Sequence, residues 1–211
     1  MNLIISLLSG FISAFIGITP PGLLNMTAAK VSMKDGRHHA FWFVSGAVFV
    51  IFLQVYLAVL FARIINARPD IVLLLREVGF FVFGLLTVYF LWIAKKPKIK
   101  KPKIKKNSKK KRFFLGMLLS ALNFFPIPYY VFVSVSLSSY ALFSFDLISI
   151  LIFVSGAVLG SFLVFYFYIV FFQKIEKKAD YFLRNMNVII GSITGLVSLI
   201  ALVNILQYYF L

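Results

Sequence analysis

A long uncharged run at the start of the chain limits what it can fold into. Residues 3–29 contain no Asp, Glu, Lys, Arg or His. A helix needs about 20 apolar residues to cross the hydrocarbon core of a bilayer, so this run can span one. It also contains the consecutive residues Pro20, Pro21 and Gly22. Proline removes a backbone donor and clashes with the preceding turn, so we expect the first span to break near Thr19.

The composition agrees with a membrane protein. Hydrophobic residues make up 62% of the 211 residues and charged residues 13%, whereas globular domains have roughly half and a quarter. The chain has no cysteine. Disulfides, thiolate catalysis and cysteine metal sites are therefore excluded.

The break in the first span has a counterpart in the second half of the chain. Pro126 follows Gly116 by ten residues, as Pro20 follows Gly10. The two glycines are 106 residues apart. Such self-similarity indicates an internal repeat.

A second match supports the repeat. The sequence FVSGAV occupies residues 43–48 and again residues 153–158, at an offset of 110. In each copy a glycine, Gly46 or Gly156, follows a serine. Small residues let membrane helices approach closely, so we predict that both glycines serve helix packing.

Charged and turn-forming residues divide the chain into six apolar segments. The stretch Lys30–His39 is predicted to be a loop, as are residues 63–70, 138–146 and 174–184. The predicted spans lie at about residues 3–29, 40–62, 71–94, 113–137, 147–173 and 187–209.

The placement of Lys and Arg predicts the orientation. If the N-terminus is outside, the loops facing inward carry 19 basic residues and the outward side carries three, counting Arg76 near the start of the third span. Cytoplasmic loops collect these residues. Because each half has three spans, the second half enters from the opposite side. We therefore predict an all-α polytopic protein with both termini outside, made of two inverted three-helix repeats, residues 1–94 and 113–211.

A lysine-rich loop joins the two halves. Twelve of the 22 Lys and Arg residues lie between Lys95 and Arg112, and they account for most of the net charge of +16. A basic segment beside a membrane attracts anionic lipid, at about 1 kcal/mol per residue. No aromatic residue interleaves the lysines as a base-stacking platform would. The loop therefore predicts an anionic lipid partner and no nucleic acid.

Paired interrupted helices in inverted halves are typical of secondary transporters, whose substrate site lies where the breaks meet. Asn25 and Asn123 are the polar side chains nearest the two breaks, and they can donate and accept hydrogen bonds. We also expect that Gly22 adopts a backbone conformation with positive φ. The predicted substrate-binding residues are Pro20, Pro21, Gly22, Asn25, Asn123, Pro126 and Pro128.

The ionisable residues point to no enzyme. No span carries a cluster of His, Asp or Glu that could hold a metal ion, and no arrangement of nucleophile and base supports catalysis. We predict neither metal nor cofactor. The pair His38 and His39 is interpreted as a solvated interface. Glu77 and Asp146 are the candidates for coupling transport to an ion.

The order of these motifs resembles the lysine exporter (LysE/RhtB) superfamily, whose members are six-span bacterial inner-membrane proteins that export amino acids. The resemblance covers nearly the whole chain. Two features depart from the family pattern: the turn is Pro-Pro-Gly instead of Pro-Gly-Pro, and the proline after Leu-Asn is delayed to Pro126. The matching residues are Gly10, Pro20 to Gly22, Gly36, Arg37, Gly46, Phe113, Gly116, Leu122, Asn123 and Gly191.

The resemblance implies an amino-acid exporter that works by alternating access, with a small molecule, an amino acid, as its substrate. Two alternatives stay open. One is a membrane scaffold that recruits a partner through the lysine-rich loop, and the other is a passive channel. Formation of a homo-oligomer is also left open.

Overall fold

A computed structural model of the protein describes residues 3–94 and 108–210. Within these ranges the chain forms α-helices, one short π-helical segment and no strand, which confirms the all-α class. The elements are α1 (Leu3–Ile18), α2 (Leu23–Asp35), α3 (Arg37–Asn66), α4 (Pro69–Val88), the π segment (Tyr89–Ile93), α5 (Lys109–Ala121), α6 (Pro126–Ser139), α7 (Leu147–Arg184) and α8 (Met186–Phe210).

Several helices are long and apolar enough to cross a membrane. In the described part of the chain, three qualify alone, within α3, α7 and α8. The pairs α1 with α2 and α5 with α6 qualify when each bent pair is taken as one span. The predicted third span corresponds to α4 and the π segment, of which residues 77–93 form a shorter apolar helix. The count is therefore three to five, and the sixth span stays a prediction.

The predicted loop Lys30–His39 is wrong. Helix α2 continues through Asp35 and α3 begins at Arg37, so Gly36 alone separates them. The φ of Gly36 is 89°, a conformation that side chains with a Cβ rarely adopt and that glycine adopts freely. A single glycine therefore separates the two helices here.

The predicted loop at residues 174–184 is also wrong, because α7 runs on to Arg184. This segment, KIEKKADYFLR, contains no glycine or proline. Its Lys, Glu, Ala, Leu and Arg residues are good helix formers. Charge alone therefore does not end the helix.

The lysine-rich loop ends earlier than predicted, because α5 begins at Lys109. Ser108 is its N-cap, and the Ser108 side chain accepts a hydrogen bond from the Lys111 backbone N–H at 3.4 Å. Serine is a preferred N-cap residue because its oxygen satisfies a free donor of the first turn. The part of the predicted loop at residues 95–107 lies outside the described residues.

The helices form two compact units. One contains α1, α2, α3, α5, α6 and most of α7, and the other contains α4, the π segment and α8. In the first unit, α2 is the most enclosed element, since residues 24–29 are all buried. Helix α2 therefore lies in the core of that unit.

Glycines set the closest helix contacts of the first unit. A Cβ on Gly10 of α1 would overlap the backbone oxygen of Phe153 in α7. A Cβ on Gly116 of α5 would overlap the backbone oxygen of Phe43 in α3. These contacts correspond at the offsets of the sequence repeat, 106 for the glycines and 110 for the phenylalanines.

The same correspondence holds in the reverse direction. A Cβ on Gly46 would overlap the Phe113 oxygen, and one on Gly156 would overlap the Leu7 oxygen. Backbone-to-backbone approach of this kind is what small residues permit in membrane helices. Helix α3 therefore packs on α5 as α7 packs on α1.

The second unit is held by side-chain bonds as well as packing. The Thr87 hydroxyl of α4 donates to the Thr194 hydroxyl of α8 at 2.9 Å. Ser198 donates to the backbone oxygen of Phe80 at 3.1 Å. In an apolar medium such bonds between helices stabilise by about 0.6 kcal/mol on average.

Candidate functional site at two helix breaks

The first break lies between α1 and α2, whose axes are bent by 78°. It contains Thr19, Pro20, Pro21 and Gly22, as the proline pair predicts. The expectation of a positive φ at Gly22 is wrong, since φ is −124°. A Cβ added there would meet only the Pro20 oxygen, at 3.9 Å. This position therefore has room for a small side chain.

Two side chains satisfy the carbonyl groups that the first break frees. The Asn25 amide nitrogen donates to the backbone oxygens of Ile18, at 2.5 Å, and Pro20, at 3.0 Å. The Tyr168 hydroxyl of α7 donates to the Thr19 oxygen at 2.8 Å. Asn25 is buried. The predicted ligand residue Asn25 therefore already serves as a cap for the end of α1.

The second break lies between α5 and α6, with a bend of 61°. It occupies residues 122–125, not Pro126 to Pro128, so the predicted position is wrong by about one turn. Pro126 is instead the first residue of α6, and Pro128 lies in its first turn. Proline is favoured there because the first N–H groups of a helix have no partner within it.

Gln54 of α3 caps the second break. Its amide nitrogen donates to the backbone oxygens of Asn123, at 2.8 Å, and Ser120, at 3.2 Å. Gln54 is buried, whereas Asn123 is exposed. Asn123 therefore contributes only its backbone oxygen to this cap. Gln54 caps the second break as Asn25 caps the first.

Both breaks are capped in the same way, by side-chain donors that bind backbone oxygens. The sequence alone did not identify two of these donors, Gln54 and Tyr168. Freed carbonyl groups in an apolar medium cost several kcal/mol unless a donor reaches them. At both breaks the long helix packed alongside supplies such a donor. A glutamine within an apolar span was the available signal for Gln54. Nothing in the sequence marks Tyr168 among ten tyrosines.

A buried ion pair joins α2 to α5, and it was not predicted. The Arg112 guanidinium lies 2.5 Å from Asp35 Oδ2, and the side chains are 1% and 0% exposed. Asp35 Oδ1 accepts no hydrogen bond from the described residues. Breaking such a pair leaves an uncompensated buried charge. The pair therefore ties the end of the first bent pair of helices to the start of the second.

The two proposed coupling residues occupy different surroundings. Asp146 is exposed and accepts bonds from the Ser144 hydroxyl, at 2.6 Å, and the Ser149 backbone N–H, at 2.9 Å. These bonds hold the pKa of Asp146 below its usual range, because they favour the charged form. This geometry suits the cap of α7. In the second unit, Glu77 accepts a bond from the Tyr209 hydroxyl at 2.9 Å.

The described residues contain no group of three or more His, Cys, Asp or Glu residues that could hold a metal ion. No curated protein and no solved structure matches the chain. The family model for LysE type translocators matches residues 15–204. The chain therefore belongs to the LysE type translocator family, a family of membrane transporters.

Proposed function

We propose that the protein exports amino acids or related small amphiphilic metabolites across a bacterial inner membrane. In this proposal six spans form two inverted three-helix halves, residues 1–94 and 113–211, with both termini outside. The halves expose a central site to each side in turn, by alternating access. The substrate binds at the two helix breaks on its way across the membrane.

The matched glycine contacts carry this proposal. Gly10 meets Phe153 as Gly116 meets Phe43, each time between a broken helix of one half and a long helix of the other. Repeated contacts of this kind are expected from a pseudo-two-fold axis between inverted halves. Rocking of such halves about a fixed site is the usual transport movement of inverted-repeat carriers.

The helix breaks support the location of the site. Non-helical backbone at membrane depth is tolerated only where protein buries it or water lines it. At the first break Pro21 and Asn25 are buried and Pro20 and Gly22 are half-buried, whereas residues 121–125 at the second are exposed. An exposed break can line a water-filled path for the substrate. The proposed lining at the second break is Asn123, Pro126 and Pro128.

The proposal is tested by export from cells. Cells that express the protein are loaded with dipeptides, which they hydrolyse to free amino acids, and the medium is compared by untargeted metabolite analysis. The control is Gly46→Leu at a matched protein level, because its side chain would collide with the backbone of α5. We expect faster release of at least one amino acid or similar metabolite with the wild type alone. Equal release of every metabolite would contradict export.

A further inference from the structure

The second break holds two buried polar atoms that have no hydrogen-bond partner among the described residues. These are Gln54 Oε1 and Ser120 Oγ. Gln54 is 6% exposed and Ser120 is 0% exposed. An unpaired buried polar group destabilises a fold, so such a group indicates a site where water or a ligand forms the missing hydrogen bond.

The orientation of the Gln54 amide is fixed by its neighbours. Its nitrogen lies within 3.2 Å of the backbone oxygens of Ser120 and Asn123. Turning the amide over would set Oε1 against these two oxygens, so the nitrogen must face them. Oε1 therefore points away from the cap as a free acceptor. Ser120 is the residue whose backbone oxygen Gln54 binds, so the two unpaired oxygens belong to two directly hydrogen-bonded residues.

The repeat shows that packing does not require these polar groups. At the offsets that relate the glycine contacts, Ala14 corresponds to Ser120 and Val164 corresponds to Gln54. Both are buried, at 0% and 3% exposure. Helices α1 and α7 thus pack as closely as α5 and α3 do, although both of these positions are apolar in α1 and α7. The oxygens at the second break are therefore candidates for a role other than packing.

The surroundings of these oxygens favour a cationic donor. They lie at the carboxyl end of α5, where the helix dipole places about half a negative charge. Asn123, whose backbone oxygen Gln54 also binds, is exposed, as are its neighbours in the break, so this side of the cap reaches the protein surface. At the first break, Asn25 and Tyr168 already occupy the carbonyl groups.

We infer that Gln54 Oε1 and Ser120 Oγ accept hydrogen bonds from the ammonium group of the transported molecule. Among the described residues, the first break holds no unpaired buried side-chain oxygen of this kind, so it is not the ammonium site. The substrate class is then a primary amine with an apolar portion, which includes the amino acids. This inference rests on the proposed function, and it assigns one end of the substrate to the second half of the chain.

The test compares two serine variants of the purified protein. Ser120→Ala removes a hydroxyl that bonds to nothing in the described structure, so we expect unchanged thermal stability without ligand. Ser134→Ala is the matched control, because Ser134 Oγ is also buried and unpaired. Ser134 lies eight residues into α6, about 12 Å along that helix from Pro126.

The probes are leucine, 3-methylbutylamine, which keeps only the ammonium group, and 4-methylpentanoate, which keeps only the carboxylate. Binding is measured by the ligand-induced rise in melting temperature. We expect the wild type and Ser134→Ala to bind the amine equally, and Ser120→Ala to bind it roughly 10- to 150-fold more weakly, as the loss of a bond to a charged group implies. Binding of 4-methylpentanoate should not depend on Ser120.

Equal amine binding by Ser120→Ala and Ser134→Ala would overturn the inference, as would a wild type that binds no amine. The binding assay needs no transport. Amine binding that depends on Ser120 in a protein that exports nothing would therefore count against the proposed function alone. Normal leucine export by Ser120→Ala with an unchanged KM would count against the inference alone.

Discussion

Replacing Gly10 or Gly116 by alanine tests the paired helix contacts directly. A Cβ at either position would overlap a backbone oxygen, of Phe153 or Phe43. A backbone atom cannot rotate away as a side chain can, so the helices must separate. Overpacking of this kind costs about 1 to 3 kcal/mol. For a chain of this size that lowers the melting temperature by roughly 2 to 12 °C.

Double substitutions distinguish one contact from the other. Gly10 and Gly156 share the α1–α7 contact, so once the first methyl group has separated the helices the second finds room. Their effects should fall short of additivity by at least about 0.5 kcal/mol. Gly10 and Gly116 lie at different contacts, so their effects should add within about 0.5 kcal/mol.

The assay is thermal unfolding of the purified variants in detergent, with Gly79→Ala as the control. A Cβ at Gly79 would meet nothing closer than the Phe83 ring, at 3.9 Å. Alanine in a helix is more stable than glycine by about 0.5 to 1 kcal/mol, so the control should be neutral or slightly stabilised. If Gly10→Ala and Gly116→Ala both behave like the control, the close contacts are wrong. If only one of them is destabilised, the two contacts are not equivalent.

Three further predictions concern the ion pair, the loop and the topology. Arg112→Leu, which leaves Asp35 buried and unpaired, should cost about 3 to 5 kcal/mol, and adding Asp35→Asn should restore more than half of the lost melting temperature; no loss in the single variant would contradict a buried pair. Deleting residues 98–106 should leave export largely intact in the cell assay, whereas abolished export would favour a scaffold that works through the loop. A reporter active only in the cytoplasm should be active when fused after Lys105 and silent when fused after Tyr140, and the reverse result would invert the topology.

The sequence predicted the local features of this fold well. The proline pair at Pro20 predicted the first break, and the FVSGAV repeat predicted where glycines would lie in matching helices. Both signals depend on backbone chemistry within one short segment. The predicted position of the second break is wrong because proline, which breaks a helix from within, is also favoured in the first turn of a helix, where Pro126 lies.

Partners that are far apart in the chain could not be predicted in the same way. Gln54 reaches carbonyl groups 66 and 69 residues away, and Tyr168 reaches one 149 residues away. The identity of a donor side chain does not show which carbonyl group it will bind, because that depends on how the helices pack. The charge pattern predicts loops at both Asp35 and Arg112, whereas both residues lie in helices, so it gives no indication of the ion pair.

Reaction of a single cysteine at the second break tests the central claim most directly. The chain has no cysteine, so Asn123→Cys is its only thiol, and Ser45→Cys on the exposed side of α3 is the control. A membrane-impermeant thiol reagent is applied to right-side-out and inside-out vesicles, with and without the metabolite found in the export assay. Alternating access at the break predicts that residue 123 reacts from both sides and that the metabolite changes the two rates in opposite directions, with no such change at residue 45. Reaction at residue 123 from one side only, or at rates that the metabolite leaves unchanged, would contradict the account.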